Sequence, residues 1–349
     1  MPDLLVFVLI LAALILGHEL GHFVAARARG VRVDEFGIGF PPRLATLFQA
    51  GGTRFTLNAI PLGGFVRPAG EDDPNFPGGL ASASKRTRAI VLLAGPLANI
   101  LIALLAFSAA YRFAAPDFER TSITTVADSS PAQAAGLLPG DVIIEFQGQP
   151  VTSLDTLQRA IAGSLGRTAT ITVERAERQL KFELTPRLTP PEGQGPIGIV
   201  TGNPRRAVSW PEAAGLGIES IRLQLREIVH LPGRLIQGQV APEEARLTGL
   251  KGMHDMLAWA RDVDRSAQRP FLTLTLVGVI STGLALANLL PIPALDGGRL
   301  MFVAFEAIFG RRLSPRYEGL AHAIGFAFLL ALMLYVNIQD FVNPIALPR

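Results

Sequence analysis

The sequence predicts a polytopic α-helical membrane protein with four transmembrane helices, a membrane-associated β-hairpin sheet and one α+β domain. Of the 349 residues, 49% are hydrophobic and only 17% are charged, and the mean hydropathy is positive at +0.35. Four apolar stretches are each close to the roughly 20 residues that a helix needs to cross a hydrocarbon core. They cover residues 4–26, 89–111, 271–295 and 319–339. The segments between them are polar enough to fold in water.

The first predicted helix occupies the segment 1–32, and we expect it to be retained in the mature protein. No Lys or Arg precedes its apolar stretch, and its far end carries two histidines and a glutamate where a secretory signal has a small-residue cleavage site. We therefore predict that this helix spans the membrane.

Basic residues cluster between the first and second spans and again between the third and fourth. Because cytoplasmic loops carry the excess of Lys and Arg, both loops are expected on the cytoplasmic side, and both termini and residues 112–270 on the other side. The net charge of +3 is explained by this anchoring, so the sequence predicts a lipid bilayer and no nucleic acid as a partner. The residues are Arg27, Arg29, Arg32, Arg43, Lys85, Arg86 and Arg88 in the first loop, and Arg299, Arg311, Arg312 and Arg316 in the second.

The segment 33–84 is predicted to form the β-hairpin region. Apolar and polar residues alternate on both sides of a Gly51-Gly52 turn over residues 33–67, as expected of two paired strands. Residues 68–84 are rich in Gly, Pro, Asp and Ser and are expected to form a surface loop. The second span, 85–113, contains Gly95-Pro96, which should kink or open the helix, and Asn99, an amide at membrane depth.

Short strand patterns dominate the next segment, 119–190. Strands are predicted at residues 123–126, 142–146, 168–174 and 181–185, and a helix at 154–162. This pattern is typical of a compact α+β domain. The following region, 191–268, has amphipathic helical patterns between Trp210 and Trp259, which either lie on the membrane surface or pack against the α+β domain. The last segment, 269–349, contains the third and fourth spans.

The strongest chemical signal is the sequence His18-Glu19-Leu20-Gly21-His22 in the first span. Two imidazoles four residues apart lie on one face of a helix and can bind a single zinc ion. Glu19 lies beside the metal without ligating it, so it can act as the general base for zinc-bound water. Ionisable groups within a membrane span are costly unless they are paired or metallated, which favours a functional site.

Asp296 is the candidate for the third zinc ligand. A hydrolytic zinc site needs three protein ligands with one position open to water, and the chain has no cysteine to supply one. Pro291 and Pro293 interrupt the predicted third helix, and Gly297-Gly298 permits close backbone approach, so the carboxylate can turn towards the first span. The alternative is that Asp296 only caps the helix that follows.

These two motifs resemble the signature motifs of the site-2 protease family, His18 to His22 in the first span and Asn288 to Gly298 in a later one. Four spans, and the Gly95-Pro96-Leu97-Ala98-Asn99 sequence in the second, are similar to the bacterial branch typified by the regulator of sigma-E protease. The resemblance implies that His18, His22 and Asp296 bind Zn²⁺ and that Glu19 is catalytic. It also implies that Asn288 is substrate-binding or contacts the oxyanion, and that Asn99 has either a substrate-binding or a helix-packing role. It further implies a bacterial inner-membrane location, and the basic loops place the active site towards the cytoplasm.

A second resemblance concerns the α+β domain. The residues 136–143, Gly-Leu-Leu-Pro-Gly-Asp-Val-Ile, followed by Gly148-Gln149-Pro150-Val151, resemble the core signature of bacterial PDZ domains. In such domains a peptide adds as a strand to a sheet edge beside a helix. A strand at 195–200 and the helix at 154–162 are therefore expected to form a groove for a peptide C-terminus, on the extracytoplasmic side.

The leading hypothesis is an intramembrane zinc metalloendopeptidase that cleaves single-span membrane proteins such as anti-sigma factors or remnant signal peptides. The site-2 protease resemblance implies that the hairpin offers a sheet edge to an unwound substrate. The competing hypothesis is a catalytically silent membrane PDZ adaptor with a structural zinc site. The other three histidines, His230, His254 and His322, are expected to be non-catalytic, and His322 to hydrogen-bond a neighbouring helix.

Overall fold

The computed structural model describes residues 2–71, 73, 75–240, 246–345 and 347, among which there are nine helices and ten strands. Parts of four predicted segments lie outside these residues: residue 1 of the first segment, 72 and 74 of the loop after the hairpin, 241–245 of the amphipathic region, and 346, 348 and 349 of the last segment. In chain order the elements are α1 (Asp3–Ala28), β1 (Val33–Ala50), β2 (Thr53–Pro68), α2 (Lys85–Ala114), β3 (Ala115–Pro116), β4 (Thr121–Val126), α3 (Pro131–Ala135), β5 (Val142–Phe146), β6 (Gln149–Pro150), α4 (Leu154–Ala162), β7 (Ala169–Arg175), β8 (Arg178–Leu184), β9 (Ile199–Gly202), β10 (Arg205–Arg206), α5 (Trp210–Ile236), α6 (Leu250–Ala267), α7 (Phe271–Leu289), α8 (Asp296–Phe309) and α9 (Pro315–Val342).

Within the described residues, four helices are long and apolar enough to cross a membrane: α1, α2, α7 and the Arg316–Val342 part of α9. Their number and order match the four predicted spans. Helix α2 continues through Pro96. Together with α5, α6, α8 and the hairpin, these helices form one of two compact units of the chain, made of the residues up to Ala110 and from Trp210 onward.

The third span ends earlier than the sequence predicted. Helix α7 stops at Leu289, whereas the predicted span continued to residue 295. Pro291 and Pro293 lack the backbone N–H that a continuing helix would need, and the Ile292 N–H donates instead to Leu290 O over 2.7 Å in a tight turn. Asp296 therefore begins a separate helix, α8.

The predicted hairpin is present as two long strands, β1 and β2, around the Gly51-Gly52 turn. Residues 35–38 of β1 pair with residues 64–67 of β2 and also with residues 54–57, so the hairpin bends over on itself. A buried Thr56 hydroxyl donates to Glu35 Oε1 over 2.8 Å inside this folded sheet. Large apolar side chains of the hairpin remain exposed, among them Phe40, Leu44, Leu47, Phe48 and Ile60.

The amphipathic region forms two helices, α5 and α6. The buried face of α5 contacts the other helices of the first unit: a Cβ at Gly217 would meet Leu104 of α2 at 3.2 Å, and Gln224 Nε2 donates to Val279 O of α7 over 2.9 Å. Helix α6 is joined to α9 because the buried Asp340 carboxylate accepts the Gly249 and Gly252 N–H groups, each over 2.8 Å. These contacts make α5 and α6 part of the helical unit.

The second compact unit, Tyr111–Ser209, is an α+β domain and extends beyond the predicted 119–190 at both ends. Its main sheet has the strand order β8-β7-β5-β4-β9, with β6 pairing β5, and Phe146, Ile171 and Leu157 lie in its core. The helix predicted at 154–162 is α4, which starts with a Ser153–Thr156 capping box. The strand predicted at 195–200 begins only at Ile199, because Gly198 adopts a φ of +73° that extended backbone does not allow.

Candidate metal centre

Helix α1 places His18 and His22 on one face, one turn apart, as their spacing predicted. Their Nε2 atoms are 3.1 Å from each other. The imidazole side chains are 9% and 12% exposed, so both lie inside the helical unit. Two nitrogen donors therefore converge at an enclosed point.

The Asp296 carboxylate reaches this point from the first turn of α8. Its Oδ2 lies 3.1 Å from His18 Nε2 and 3.2 Å from His22 Nε2. The turn before α8 is tight, because a Cβ at Gly297 would overlap Leu289 O and Leu290 O. The residue at the N-cap position of α8 is Leu295, so the alternative in which Asp296 merely caps the helix does not describe its position.

The three donor atoms form a nearly equilateral triangle of 3.1 to 3.2 Å. A tetrahedral zinc ion with bonds of about 2.0–2.1 Å separates its ligand atoms by roughly 3.3 Å. Asp296 Oδ2 is also buried without a hydrogen-bond donor in the described part of the chain. A buried carboxylate oxygen facing two imidazole nitrogens is stabilised by a cation between them. The donor set therefore fits Zn²⁺, with a fourth position for water.

The backbone of helix α2 fixes the orientation of the His22 ring. His22 Nδ1 lies 2.8 Å from Val91 O, so this nitrogen carries the proton and donates it to the carbonyl, which leaves Nε2 free to ligate. The approach of the two helices requires Gly95, because a Cβ there would overlap His22 Nε2 and lie 2.8 Å from His18 Cε1. The sequence singled out Gly95 as a point of bending, and the structure shows that it also makes room for the two histidine rings.

Glu19 lies between the two histidines in sequence and lines the same cavity. Its Oε2 accepts a hydrogen bond from the Val66 N–H of strand β2 over 3.0 Å. Strand β2 can lie this close to α1 because Gly64 has no side chain: a Cβ there would lie 2.7 Å from Leu16 Cδ2. The hairpin is thus in direct contact with the residue predicted to be the catalytic base.

The two asparagines predicted to bind substrate occupy different positions. Asn288 lines the cavity and donates from Nδ2 to Leu284 O over 3.0 Å. Asn99 is 1% exposed, is absent from the cavity lining, and has its amide nitrogen 3.5 Å from His18 Nδ1. An amide can present either its oxygen or its nitrogen at such a contact. With its oxygen towards His18, Asn99 would accept a hydrogen bond from the Nδ1–H group. That bond would keep His18 Nε2 directed towards His22 Nε2 and Asp296 Oδ2.

The cavity beside the three ligands has a volume of about 360 Å³. Its wall combines the three converging donor residues with apolar side chains such as Phe40 and Phe65 of the hairpin and with Glu71 and Arg299. Arg299 Nη1 donates to Glu71 Oε1 over 2.5 Å, so the loop after the hairpin is tied to α8 at the cavity wall.

The remaining histidines lie apart from the three converging donors. His230 is exposed on α5, and His254 contacts Phe7 and Asp255. His322 Nδ1 accepts the Ala294 N–H over 2.7 Å, a hydrogen bond to the segment between two helices. Sequence reasoning missed the Val66 contact and the partner of His322, since each contact joins positions 28 or more residues apart that share no local pattern.

Comparison with known proteins gives matches along almost the whole chain. Residues 6–332 match the model of peptidase family M50. Proteins of Agrobacterium fabrum and Campylobacter jejuni, each named "Putative zinc metalloprotease", are 32% and 31% identical over 96% and 97% of this chain and 94% and 93% of their own. A protein of Caulobacter vibrioides named "Metalloprotease MmpA" is 27% identical over 95% of this chain and 93% of its own. Among solved structures, the PDZ domain of an SdrC-like protein from Listeria monocytogenes covers 24% of this chain and 90% of its own, with 23% identity and a TM-score of 0.22.

Proposed function

Because the chain belongs to peptidase family M50, the site-2 protease family, we propose that it is an intramembrane zinc metalloendopeptidase that cleaves single-span membrane proteins. The observation that carries the proposal is the triangle of donor atoms from His18, His22 and Asp296, with Glu19 beside it in the same cavity. A purely structural zinc site would have no need for a second carboxylate, one that does not ligate the metal, at that point.

The residues divide the chemistry between them. His18, His22 and Asp296 would hold Zn²⁺, and a bound zinc ion supplies a Lewis acid that polarises the scissile carbonyl and activates water. Glu19 takes the proton from the attacking water and delivers it to the leaving amine. Asn288, at the cavity wall, is available to donate to the developing oxyanion or to the substrate backbone.

Strand β2 is the proposed surface on which substrate is presented. A transmembrane helix hides its peptide bonds, so cleavage requires local unwinding, and the released N–H and C=O groups need partners where water is scarce. An extended segment can find them by adding to a sheet edge. Two observations support this role: Val66 of β2 contacts Glu19, and the hairpin exposes a group of large apolar side chains suited to lipid.

The proposed location is the bacterial inner membrane, with the four apolar helices spanning the bilayer. The basic residues around Arg86 and Arg312 favour a cytoplasmic position for the loop containing the hairpin and for the loop between α8 and α9. The metal centre would then open towards the cytoplasmic side. The Tyr111–Ser209 unit would lie outside the cytoplasm.

The Tyr111–Ser209 unit is proposed to act as a PDZ-like reader of peptide C-termini or as a size filter. Its strand β9 is at one end of the sheet, where an added strand would find free backbone groups. Anti-sigma factors trimmed by an earlier cut and remnant signal peptides are the two substrate classes that this arrangement suits.

The test compares the wild type with Glu19→Gln in liposomes that contain a model single-span substrate, with zinc content measured in parallel. We expect the variant to keep its zinc and to lose at least about 100-fold in cleavage rate, the usual contribution of a general base. Glu177→Gln, at an exposed turn of the other unit, is the matched control and should cleave normally. Equal cleavage by wild type and Glu19→Gln would overturn the mechanism, and zinc binding without cleavage by either would favour the adaptor.

A further inference from the structure

Ala294, two residues before the metal-binding Asp296, has an unusual backbone conformation. Its φ is +82°, and among the described residues it is one of only six other than glycine with a positive φ. A residue with a Cβ is strained in this region, because the Cβ crowds the neighbouring carbonyl. Such a conformation persists only where surrounding contacts impose it, and it is most often imposed at functional sites.

The contact that fixes Ala294 comes from the fourth apolar helix. The Ala294 N–H donates to Nδ1 of His322 in α9 over 2.7 Å. The ring of His322 is in turn held edge-to-face by Phe302 of α8, with centroids 5.5 Å apart and planes at 83°. The acceptor nitrogen therefore has a defined direction, set by two helices.

The backbone on either side of Ala294 is confined as well. A Cβ at Gly325, one turn from His322 on α9, would overlap Pro293 O, so the two segments are in direct contact. On the other side, the Gly298 N–H donates to Leu295 O over 3.1 Å and begins α8. A change in the φ of Ala294 would consequently swing the start of α8, which carries Asp296, relative to the histidines of α1.

We propose that His322 is a positioning residue of the metal centre: by accepting the Ala294 N–H it holds the strained turn that directs Asp296 towards His18 and His22. The inference rests on the proposed function in one respect, that Asp296 is a zinc ligand. It goes beyond that function because it gives α9, which contributes no ligand, a role in metal binding. Outer hydrogen bonds of this kind commonly change metal affinity by about 10–100-fold.

Three variants of the full-length protein in detergent separate positioning from simple packing. His322→Ala removes the acceptor. His322→Asn keeps an acceptor, since the amide oxygen occupies nearly the place of Nδ1. Ala294→Gly relieves the strain, because glycine adopts positive φ without penalty. His230→Ala, at the exposed histidine of α5, is the control for loss of a histidine as such.

The readout is the dissociation constant for Zn²⁺, measured by competition with a chelator, together with the visible spectrum of the Co²⁺-substituted protein. We expect His322→Ala to weaken zinc binding by about 10–100-fold and to alter the Co²⁺ spectrum. His322→Asn should recover most of the affinity. The decisive comparison is the double variant His322→Ala with Ala294→Gly. It should bind zinc more tightly than His322→Ala alone, because the turn is no longer strained and does not depend on the hydrogen bond to His322.

Unchanged zinc affinity in His322→Ala would overturn the proposal, and so would a loss on His322→Ala that is the same with and without Ala294→Gly. Thermal unfolding in detergent identifies a variant that has not folded, and the Asn variant then decides, since equal loss in a folded His322→Asn also contradicts positioning. All measurements are made without substrate. Failure of the proposed function would appear instead as absence of zinc binding by the wild type or as cleavage that survives Glu19→Gln.

Discussion

At the scale of single residues, Gly95 is the position where the smallest change should have the largest effect on the metal centre. The Cβ of Gly95→Ala would overlap His22 Nε2 and press on the His18 ring. Both groups belong to the ligand triangle, and an added methyl in a tightly packed site forces neighbouring groups to shift. We expect Gly95→Ala to lower zinc affinity by at least about tenfold, as measured by chelator competition, because ligands must stay close to ideal geometry.

Gly215→Ala is the matched control for this substitution. Gly215 lies inside α5, and a Cβ there would meet nothing within 4 Å. Alanine is favoured over glycine in a helix interior by about 0.5–1 kcal/mol, so this variant should bind zinc normally and unfold at the same or a slightly higher temperature. Equal zinc affinity in the Gly95 and Gly215 variants would contradict the close approach of α2 to the ligands.

Substitution of Asn99 should impair zinc binding, whereas substitution of Asn288 should impair cleavage. Asn99→Ala removes a buried amide beside His18 Nδ1, so we expect weaker zinc binding and an unchanged KM when zinc is saturating. Asn288→Ala changes the cavity wall, so we expect normal zinc binding and a lower kcat/KM. Zinc titration and cleavage kinetics on the same two preparations make the comparison. A raised KM with intact zinc binding in Asn99→Ala would favour the substrate-binding role predicted from the sequence.

At the scale of elements, the ion pair between β7 and the turn before β5 makes the stability of the α+β domain depend on pH. Arg175 donates to both oxygens of Asp141, over 2.6 and 2.7 Å, and Leu138 N–H donates to Oδ2 over 2.9 Å. Burial raises the pKa of Asp141, but these hydrogen bonds outweigh it and hold the pKa below its usual value. A lowered pKa stabilises the fold above the unfolded pKa, and the effect is lost as pH falls through the folded pKa.

Asp141→Asn should therefore destabilise the Tyr111–Ser209 unit at neutral pH by roughly 1.5–3 kcal/mol, typical of hydrogen bonds to a charged group. The difference from wild type should shrink as the pH falls below about 4, near the pKa of an unperturbed Asp. Hydrogen exchange of the full chain, corrected for intrinsic exchange at each pH, measures the loss of stability and its dependence on pH. Asp155→Asn, in the first turn of α4, is the control, and a pH-independent difference for Asp141→Asn would contradict the assigned cause.

The elements were predictable where a local pattern decides them. The helix at 154–162 has a capping box and an amphipathic period, and it was found with the predicted bounds. The apolar stretch of the third span was predicted too long, because apolar composition continues past Leu289, whereas the predicted interruption of the helix by Pro291 and Pro293 is confirmed. Strand β9 was displaced for a similar reason, a single positive φ at Gly198. In both cases the backbone geometry of one or two residues overrides composition.

At the scale of the whole molecule, the convergence of His18, His22 and Asp296 was predictable, and the contacts that hold these residues in place were not. His18 and His22 share a helical period, and Asp296 lies next to a break in an apolar span, so chemistry alone selected them. Val66 and His322 carry no such signal, because their contacts involve backbone groups and their partners lie 47 and 28 residues away in sequence. Such contacts depend on how helices and strands pack, which periodicity does not encode.

The absence of cysteine gives a direct test of the proposed membrane topology. Single cysteines introduced at Ser314, at the exposed start of α9, and at Thr189, an exposed residue of the α+β domain, would be the only thiols in the chain. Because the basic loops should face the cytoplasm, a membrane-impermeant maleimide applied to intact spheroplasts should label Thr189→Cys and spare Ser314→Cys.

Permeabilised spheroplasts should label both variants, which shows that each thiol is reactive, and the cysteine-free parent should remain unlabelled throughout. The cleavage assay confirms that each variant is folded. Labelling of Ser314→Cys in intact spheroplasts, with Thr189→Cys protected, would reverse the orientation and place the metal centre towards the outside. Helix α7 is the one proposed span between the two positions, so equal labelling of both variants in intact spheroplasts would put them on the same side and contradict its crossing of the membrane.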